Sequence, residues 1–137
     1  MAHSIRIAVE GDLAAVLDLW QFADAEPSHT DDLNGLLALL HRDNAALLVA
    51  EDDGTLIGTV IAAWDGWRGS IYRLVVIPSE RGRGLGRRLL AEGERRLEAV
   101  GARRLQAIVV ETDARAMGFW WTTGWQEQNE RRRFVRG

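Results

Sequence analysis

The chain has 137 residues, 47% hydrophobic and 27% charged, with a formal net charge of −3. That balance describes one globular domain, residues 1–137, large enough for a real core but with room for a single active cleft. Cysteine and lysine are both absent, which excludes disulfides, thiolate metal sites, an enzyme thioester and a lysine Schiff base, and the acidic balance excludes general nucleic-acid affinity.

In chain order, residues 4–9 alternate and predict a first strand, and Asp12 stands where it can cap a helix carrying Leu13, Val16, Leu17 and Trp20 on one stripe. Residues 23–32 contain Pro27 with Asp24, Glu26, Asp31 and Asp32 and predict a loop; a second helix follows from near Thr30 or Asp31, marked by Leu33, Leu36, Leu37 and Leu40. Residues 46–51 and 56–64 are apolar runs split by Asp52-Asp53-Gly54-Thr55, a strong hairpin signal. The turn Asp65-Gly66-Trp67-Arg68-Gly69 leads into residues 71–77, whose nearly continuous apolar run suits a strand buried on both faces. Leu85, Leu89, Leu90, Leu97 and Val100 then recur at helical spacing, and Gly101 stops the turns. Residues 104–110 predict another strand, residues 113–123 a short helix ending at Gly124, and residues 125–136 a hairpin of edge strands in which Arg131, Arg132 and Arg133 would discourage unwanted pairing. Hairpins combined with one β-α-β crossover define an α+β fold, with a mixed, mainly antiparallel sheet flanked by helices.

The most telling segment is Leu74-Val-Val-Ile-Pro-Ser-Glu-Arg-Gly-Arg-Gly-Leu-Gly86, in which an apolar strand runs into a glycine-rich turn that opens a helix. The first amides of a helix lack partners within it, and the peptide dipoles add partial positive charge there, so an anion can be held by main chain alone. Gly82, Gly84 and Gly86 let that main chain come close, and Arg81 and Arg83 add charge.

Arg81-Gly82-Arg83-Gly84-Leu85-Gly86 resembles the Q/R-x-x-G-x-G/A signature of the GNAT superfamily of acetyl-CoA-dependent N-acetyltransferases, with Leu74, Val76 and Pro78 at the family's spacing ahead of it. Residues 113–125 are similar to the family's N-x-x-A-x-x-F-Y-x-x-x-G-F, so the resemblance covers essentially the whole chain. The Asp65 to Gly69 turn further resembles a small bacterial branch of acetyltransferases. The resemblance implies that acetyl-CoA is the cosubstrate, without a metal, lying between the strand of residues 74–77 and that of residues 104–110, which splay apart. Pantetheine would pair with the main chain of Leu74, Val75 and Val76 like an added strand, the pyrophosphate would sit on the amides of Arg81, Gly82, Arg83, Gly84, Leu85, Gly86 and Arg87, and Asp113 and Trp120 would complete the coenzyme site.

Acetyl transfer to an amine needs a neutral nucleophile, a stabilised oxyanion and a leaving thiolate. The resemblance implies the Val76 N–H as oxyanion donor. Many relatives carry Glu near positions 72 and 73, where this chain has Tyr72 and Arg73, and the family's acidic Tyr falls on Trp120, whose indole N–H donates a hydrogen bond but gives up no proton. A thiol pKa near 8.5 means that unassisted expulsion at pH 7 wastes roughly 2 kcal/mol, so the reaction is slowed rather than abolished. Tyr72 or a water stands in as acid, and Glu111, Glu26 or a water chain as base. His3, His29 and His41 lack ligand spacing and suit surface or capping roles, and the tryptophans suit core and cleft wall, some of them bordering the acceptor pocket.

The expected partner is thus an amine acceptor, a small molecule or peptide, attracted by the acids of residues 24–32; no nucleic acid or membrane is expected. A homodimer is a candidate assembly because dimers are common in the family. No apolar run nears the roughly 20 residues that span a bilayer, and the N-terminal residues lack the basic-then-apolar order of a secretory signal, so a cytoplasmic location is expected. A non-catalytic acyl-CoA sensor is the alternative, favoured by Trp120 and the missing Glu. A nucleotide-binding protein ranks lower, since the glycines read G-x-G-x-G in mid-chain and no P-loop lysine exists.

Overall fold

The computed structural model describes residues 3–137, which form two compact units, one up to Ala107 and one from Ile108 to Gly137. The first unit is a five-stranded sheet in the order β1-β2-β3-β4-β5, with β1 Ser4–Ile7, β2 Leu47–Asp52, β3 Thr55–Trp64, β4 Gly69–Val76 and β5 Leu105–Ala107. The first three pairings are antiparallel and β4–β5 is parallel, joined through α3 Leu85–Ala99, so the α+β mixed sheet expected from the chain is the one that forms. Asp53 and Gly54 both take positive φ, 49° and 79°, as a type I′ hairpin requires.

Successive strand residues face opposite sides of a sheet. A Cβ built on Gly58 would meet Leu89 and Leu85 of α3, while its neighbour Thr59 hydrogen-bonds Trp20 of α1 Leu13–Phe22, so α3 covers one face and α1 the other. Gly58, Gly69 and Gly93 let α3 come close: side chains there would press on Leu89, on Leu97, or on Ile71 and Ala62. On the α1 face, Leu13, Val16, Leu19 and Trp20 pack with Leu36 of α2 Leu33–Arg42 against Leu47, Val49 and Ile61.

Helix ends follow local chemistry. Asp32 caps α2 by accepting from Gly35 N–H (2.7 Å), which starts that helix two to three residues later than Thr30 or Asp31. At the end of α3, Gly101 N–H reaches Glu98 C=O and Ala102 N–H reaches Leu97 C=O, a Schellman motif with Gly101 at φ 103°. The end of α1 repeats it with Asp24 at φ 55°, Asp24 N–H bonding Gln21 C=O and Ala25 N–H bonding Trp20 C=O.

Asp12 does not cap α1. A 3-10 turn, Glu10–Asp12, precedes the helix, and the carboxylate instead takes the Val9 N–H (2.7 Å) and both terminal nitrogens of Arg6 (2.8 and 2.9 Å). The Arg6 guanidinium, with help from Val9 N–H, holds the Asp12 carboxyl below its ordinary value. A carboxyl depressed in the folded state contributes stability at pH values above its unfolded pKa, near 3.9, and that contribution fades as pH falls through the folded value. Asp12→Asn is therefore expected to lower the urea midpoint by a constant amount above about pH 5, and the gap should close toward pH 2. A gap that stays open at pH 2 would show that charge is not what Asp12 supplies.

Three strand expectations are corrected. The first strand stops at Ile7 because residues 10–12 turn, and the fifth is only Leu105–Ala107 rather than 104–110. Among the described residues no strand follows Ala107, so the expected C-terminal hairpin is absent and Arg131, Arg132 and Arg133 guard no edge. The tail offers no alternating apolar face to bury, and every residue from 126 onward is exposed. Val100, expected in the core, is exposed, since it sits where α3 unwinds.

The second unit contains α4 Ala114–Trp121, capped by Asp113, whose carboxylate accepts from Ala116 N–H at 3.0 Å. Trp120 meets Phe119 and Trp125 edge-on, at 5.6 and 4.9 Å between ring centres. The hydroxyls of Thr122 and Thr123 donate to the carbonyls of Phe119 and Trp120, both at 2.7 Å.

Candidate acyl-transfer site

The register of β4 against β3 changes by one residue between Tyr72–Ile61 and Val75–Thr59. Arg73 and Leu74 therefore oppose Val60 alone, which is a β-bulge, and Arg73 takes the left-handed φ of 51°. Thr59, fully buried, holds this kink: its hydroxyl donates to the displaced Arg73 carbonyl (2.8 Å) and accepts from the Trp20 indole N–H (2.9 Å).

One extra residue reverses which main-chain groups face which neighbour. Beyond the bulge Ile77 N–H donates to Ile57 C=O (3.0 Å), which makes Gly58–Val76 a non-hydrogen-bonded pair, so the N–H and C=O of Val76 point away from β3. On that second side β5 pairs only with Gly69, Ser70 and Ile71. Strand β4 beyond Ile71 thus presents an open edge, and the expectation of a strand buried on both faces is corrected: Tyr72 is half exposed and Leu74, Val75 and Val76 are only partly buried. An edge not paired with another strand is suited to an extended, amide-containing ligand.

A short 3-10 turn, Pro78–Glu80, leads from this edge to the glycine loop. Gly82 and Gly84 have φ 78° and 86°, and Gly84 is the N-cap of α3. The first bond within the helix runs from Arg88 N–H to Gly84 C=O (3.1 Å), so the amides of Leu85 and Gly86 stand at the helix head ahead of it. A Cβ on Gly82 or Gly84 would meet nothing within 4 Å, and Gly82, Arg83, Gly84 and Arg87 are exposed. The residues present fit a diphosphate: aimed amides, positive φ where only glycine is unstrained, and open space above the loop.

Arg81 serves differently from the expectation that it adds charge to this cradle. Its Nε donates to Val76 C=O (3.0 Å) and a terminal nitrogen to Ala23 C=O (3.2 Å), so the guanidinium braces the loop against β4 and the end of α1. Carbonyl acceptors attract a guanidinium strongly once it is partly out of water, and no charge count along the chain could show that. His3, expected in a surface or capping role, lies 3.4 Å from Glu80, and Arg88 donates to its carbonyl (2.9 Å), which docks the start of β1 beside the cradle.

The first unit brings together Tyr72, Leu74, Val75, Val76 and the loop from Arg81 to Arg87. Glu111, Asp113 and Trp120 belong to the second unit: Asp113 and Trp120 keep the roles that the resemblance implies, and Glu111, one of the candidate bases, is exposed. Sequence reasoning missed Thr59, Trp20 and Asp31 as supports of the bulge. Trp67, expected in core or cleft wall, is 70% exposed on the β3–β4 turn with Arg68 stacked 4.1 Å from its ring centre. There Asp65 accepts from the N–H groups of Arg68 and Trp67, both 2.7 Å, which hold its carboxyl below its ordinary value. A surface depression lined by Ile7, Val9, Leu40 and Asn44 lies at the other edge of the sheet, away from these groups. No helix among the described residues is long and apolar enough to cross a membrane.

Comparison with known proteins agrees with this geometry. An acetyltransferase of Yersinia pestis (strain Pestoides F) is 34% identical over 125 residues, covering 91% of this chain and 89% of its own length. One from Pectobacterium atrosepticum is 37% identical over 91 residues, covering 66% and 64%. Among solved structures, the PaiA N-acetyltransferase of Thermoplasma acidophilum in complex with coenzyme A superposes with a TM-score of 0.78 at 19% identity, over 93% of this chain and 92% of that one. The aminoglycoside N-acetyltransferase AAC(6')-Iy in complex with a CoA-containing bisubstrate analogue gives 0.77 at 23% identity, over 100% and 99%. At those identities the likeness speaks to the fold. The model of the acetyltransferase (GNAT) family matches residues 13–125, across both units, and the chain belongs to that family of acetyltransferases.

Proposed function

We propose that the chain transfers the acetyl group of acetyl-CoA to a primary amine by direct attack within a ternary complex, in the cytoplasm, with residues 1–137 acting as one catalytic domain. The observation that carries the reading is the Val76 N–H turned to the open edge of β4, one short turn ahead of a glycine loop whose amides suit a diphosphate. The loop and helix head would hold the pyrophosphate, and the main chain of Leu74 and Val76 the pantetheine arm.

The amine nitrogen forms its bond to the thioester carbonyl carbon, the carbon–sulfur bond breaks, and the amine proton leaves to a base or water. Val76 N–H is placed to hold the carbonyl oxygen as negative charge develops, a contribution worth on the order of 10²- to 10³-fold when one such donor is removed elsewhere. Tyr72, half exposed on β4, is the chain's own candidate to protonate the departing sulfur, and Glu111, Glu26 or a water to take the proton. With no cysteine, no acetyl-thioenzyme can form. The coenzyme A and CoA-containing bisubstrate complexes of the structural neighbours support a CoA thioester as the ligand here.

Release of free CoA from acetyl-CoA, followed against polyamines, peptides with free N-termini, lysine peptides and aminoglycosides, tests the reading. Turnover that depends on both substrates is expected. Tight CoA binding with no turnover on any amine would favour the sensor reading, which Trp120 and the missing Glu also favour. Stoichiometric, chemically competent acetyl-enzyme formed from acetyl-CoA alone would overturn direct attack.

A further inference from the structure

We infer that Arg73 and Asp31 form a clasp that registers the connection between α1 and α2 against the strand carrying the Val76 amide, making Arg73 a positioning residue for the amine acceptor. The inference rests on the acetyltransferase reading above and names how its acceptor side is held.

Among the described residues three non-glycine positions have positive φ: Asp24, Asp53 and Arg73. Asp24 closes a helix and Asp53 makes a hairpin turn, settings in which Asp tolerates that conformation. Arg73 alone lies inside a strand, where a long side chain is strained unless its surroundings hold it.

Its guanidinium is what holds it. Nε donates to Asp31 Oδ1 (3.2 Å), a terminal nitrogen pairs with Oδ2, and the group lies 5.3 Å from the ring centre of buried Trp20. Both partners are mostly out of water, with side chains 17% and 22% exposed, so the pair is little screened. Asp31 also closes its own turn, accepting from Ser28 N–H (3.1 Å) and returning its N–H to Ser28 C=O (2.9 Å). A turn in the acidic connection is thereby fastened, across 42 positions of chain, to the bulge that aims Val76.

The side chains of Thr59 and Ile61 on β3 face α1, and Tyr72 pairs with Ile61, so the half-exposed phenol, the clasp and the connection share one face of the sheet. Asp24 and Glu26 of that connection are exposed and of the charge that attracts an ammonium group. Fastening the connection sets where such a cation is delivered relative to β4.

Two variants separate the clasp from the bulge. Arg73→Gly adopts φ 51° without strain and keeps the carbonyl that Thr59 holds, so the bulge stays while the clasp is lost. Asp31→Asn removes the charge alone. In both, acetyl-CoA affinity measured by calorimetry should stay within about threefold of wild type, and KM for the amine turned over in the CoA-release assay should rise about tenfold with kcat little changed. Amide hydrogen exchange at Ala25 and Asp31 should quicken about tenfold, while Ile77, bonded to Ile57, stays protected. Arg73→Lys, which keeps charge but not the fork, should recover part of the KM effect.

Unchanged KM and unchanged exchange at Ala25 and Asp31 in both variants would overturn the clasp while leaving the acetyltransferase reading intact. A wild-type chain that binds acetyl-CoA but acetylates no amine would overturn the proposed function and the acceptor role together.

Discussion

Replacing Thr59 with valine is expected to lower stability by about 2–6 kcal/mol, although the two side chains have nearly the same shape. Thr59 is completely buried, and its hydroxyl serves two groups at once: the Arg73 carbonyl at 2.8 Å and the Trp20 indole N–H at 2.9 Å. Valine opens no cavity, so the loss comes from two polar groups left without a partner, the buried Trp20 N–H and the partly buried Arg73 carbonyl, each worth about 1–3 kcal/mol. Urea unfolding should show a lower midpoint at unchanged slope, and Thr59→Ser, which keeps the hydroxyl, should restore most of it. A loss below about 0.5 kcal/mol would mean that water or a shifted backbone reaches the bulge. The functional consequence is separate from the thermodynamic one: without that anchor the carbonyl of Arg73 has reason to swing back into register, which would turn Val76 N–H toward β3.

Gly84→Val should weaken acetyl-CoA binding about 10- to 100-fold. At φ 86° a β-branched residue is strained by about 1–3 kcal/mol, and the free loop can relieve that strain by leaving the conformation that aims the helix-head amides. Binding must then restore it, at about tenfold in Kd for each 1.4 kcal/mol. Steric filling plays no part within the protein, since a Cβ there meets nothing within 4 Å. Gly54→Val is the matched control: φ is 79°, the space is equally open, and the position lies in the β2–β3 turn. It should lower thermal stability and leave the coenzyme affinity alone. Calorimetric titration of both variants decides the matter, and equal affinities would remove the cradle from the binding site.

The Gly54 and Gly84 pair also shows what kind of information reads directly from a chain. Asp53-Gly54 between two apolar runs predicts a tight hairpin because positive φ at two successive positions is a local requirement. The glycines ahead of Leu85 predict a helix head open to an anion for an equally local reason. Tyr72 and Arg73 look, in the sequence, like a place where a family pattern lapses. Arg73 proves to be the residue of the bulge, and its partner Asp31 read as one of several loop acids with no particular partner. The tail failed in the opposite direction: a hairpin of edge strands was expected there, but a strand needs a partner edge and a face to bury, and neither is a property of residues 125–136 alone.

By itself the chain determined the five strands and four helices of the fold in their order, the hairpin at Asp53-Gly54 and the glycine loop at the start of α3, because each depends on contacts within a few residues. Tertiary structure decided the rest: which way Val76 N–H points, where Arg81 spends its charge, and which acid meets Arg73. Those outcomes follow from the register of one strand against another and from side chains meeting across tens of positions, and a one-residue shift in β4 reverses the first of them without altering a single local preference.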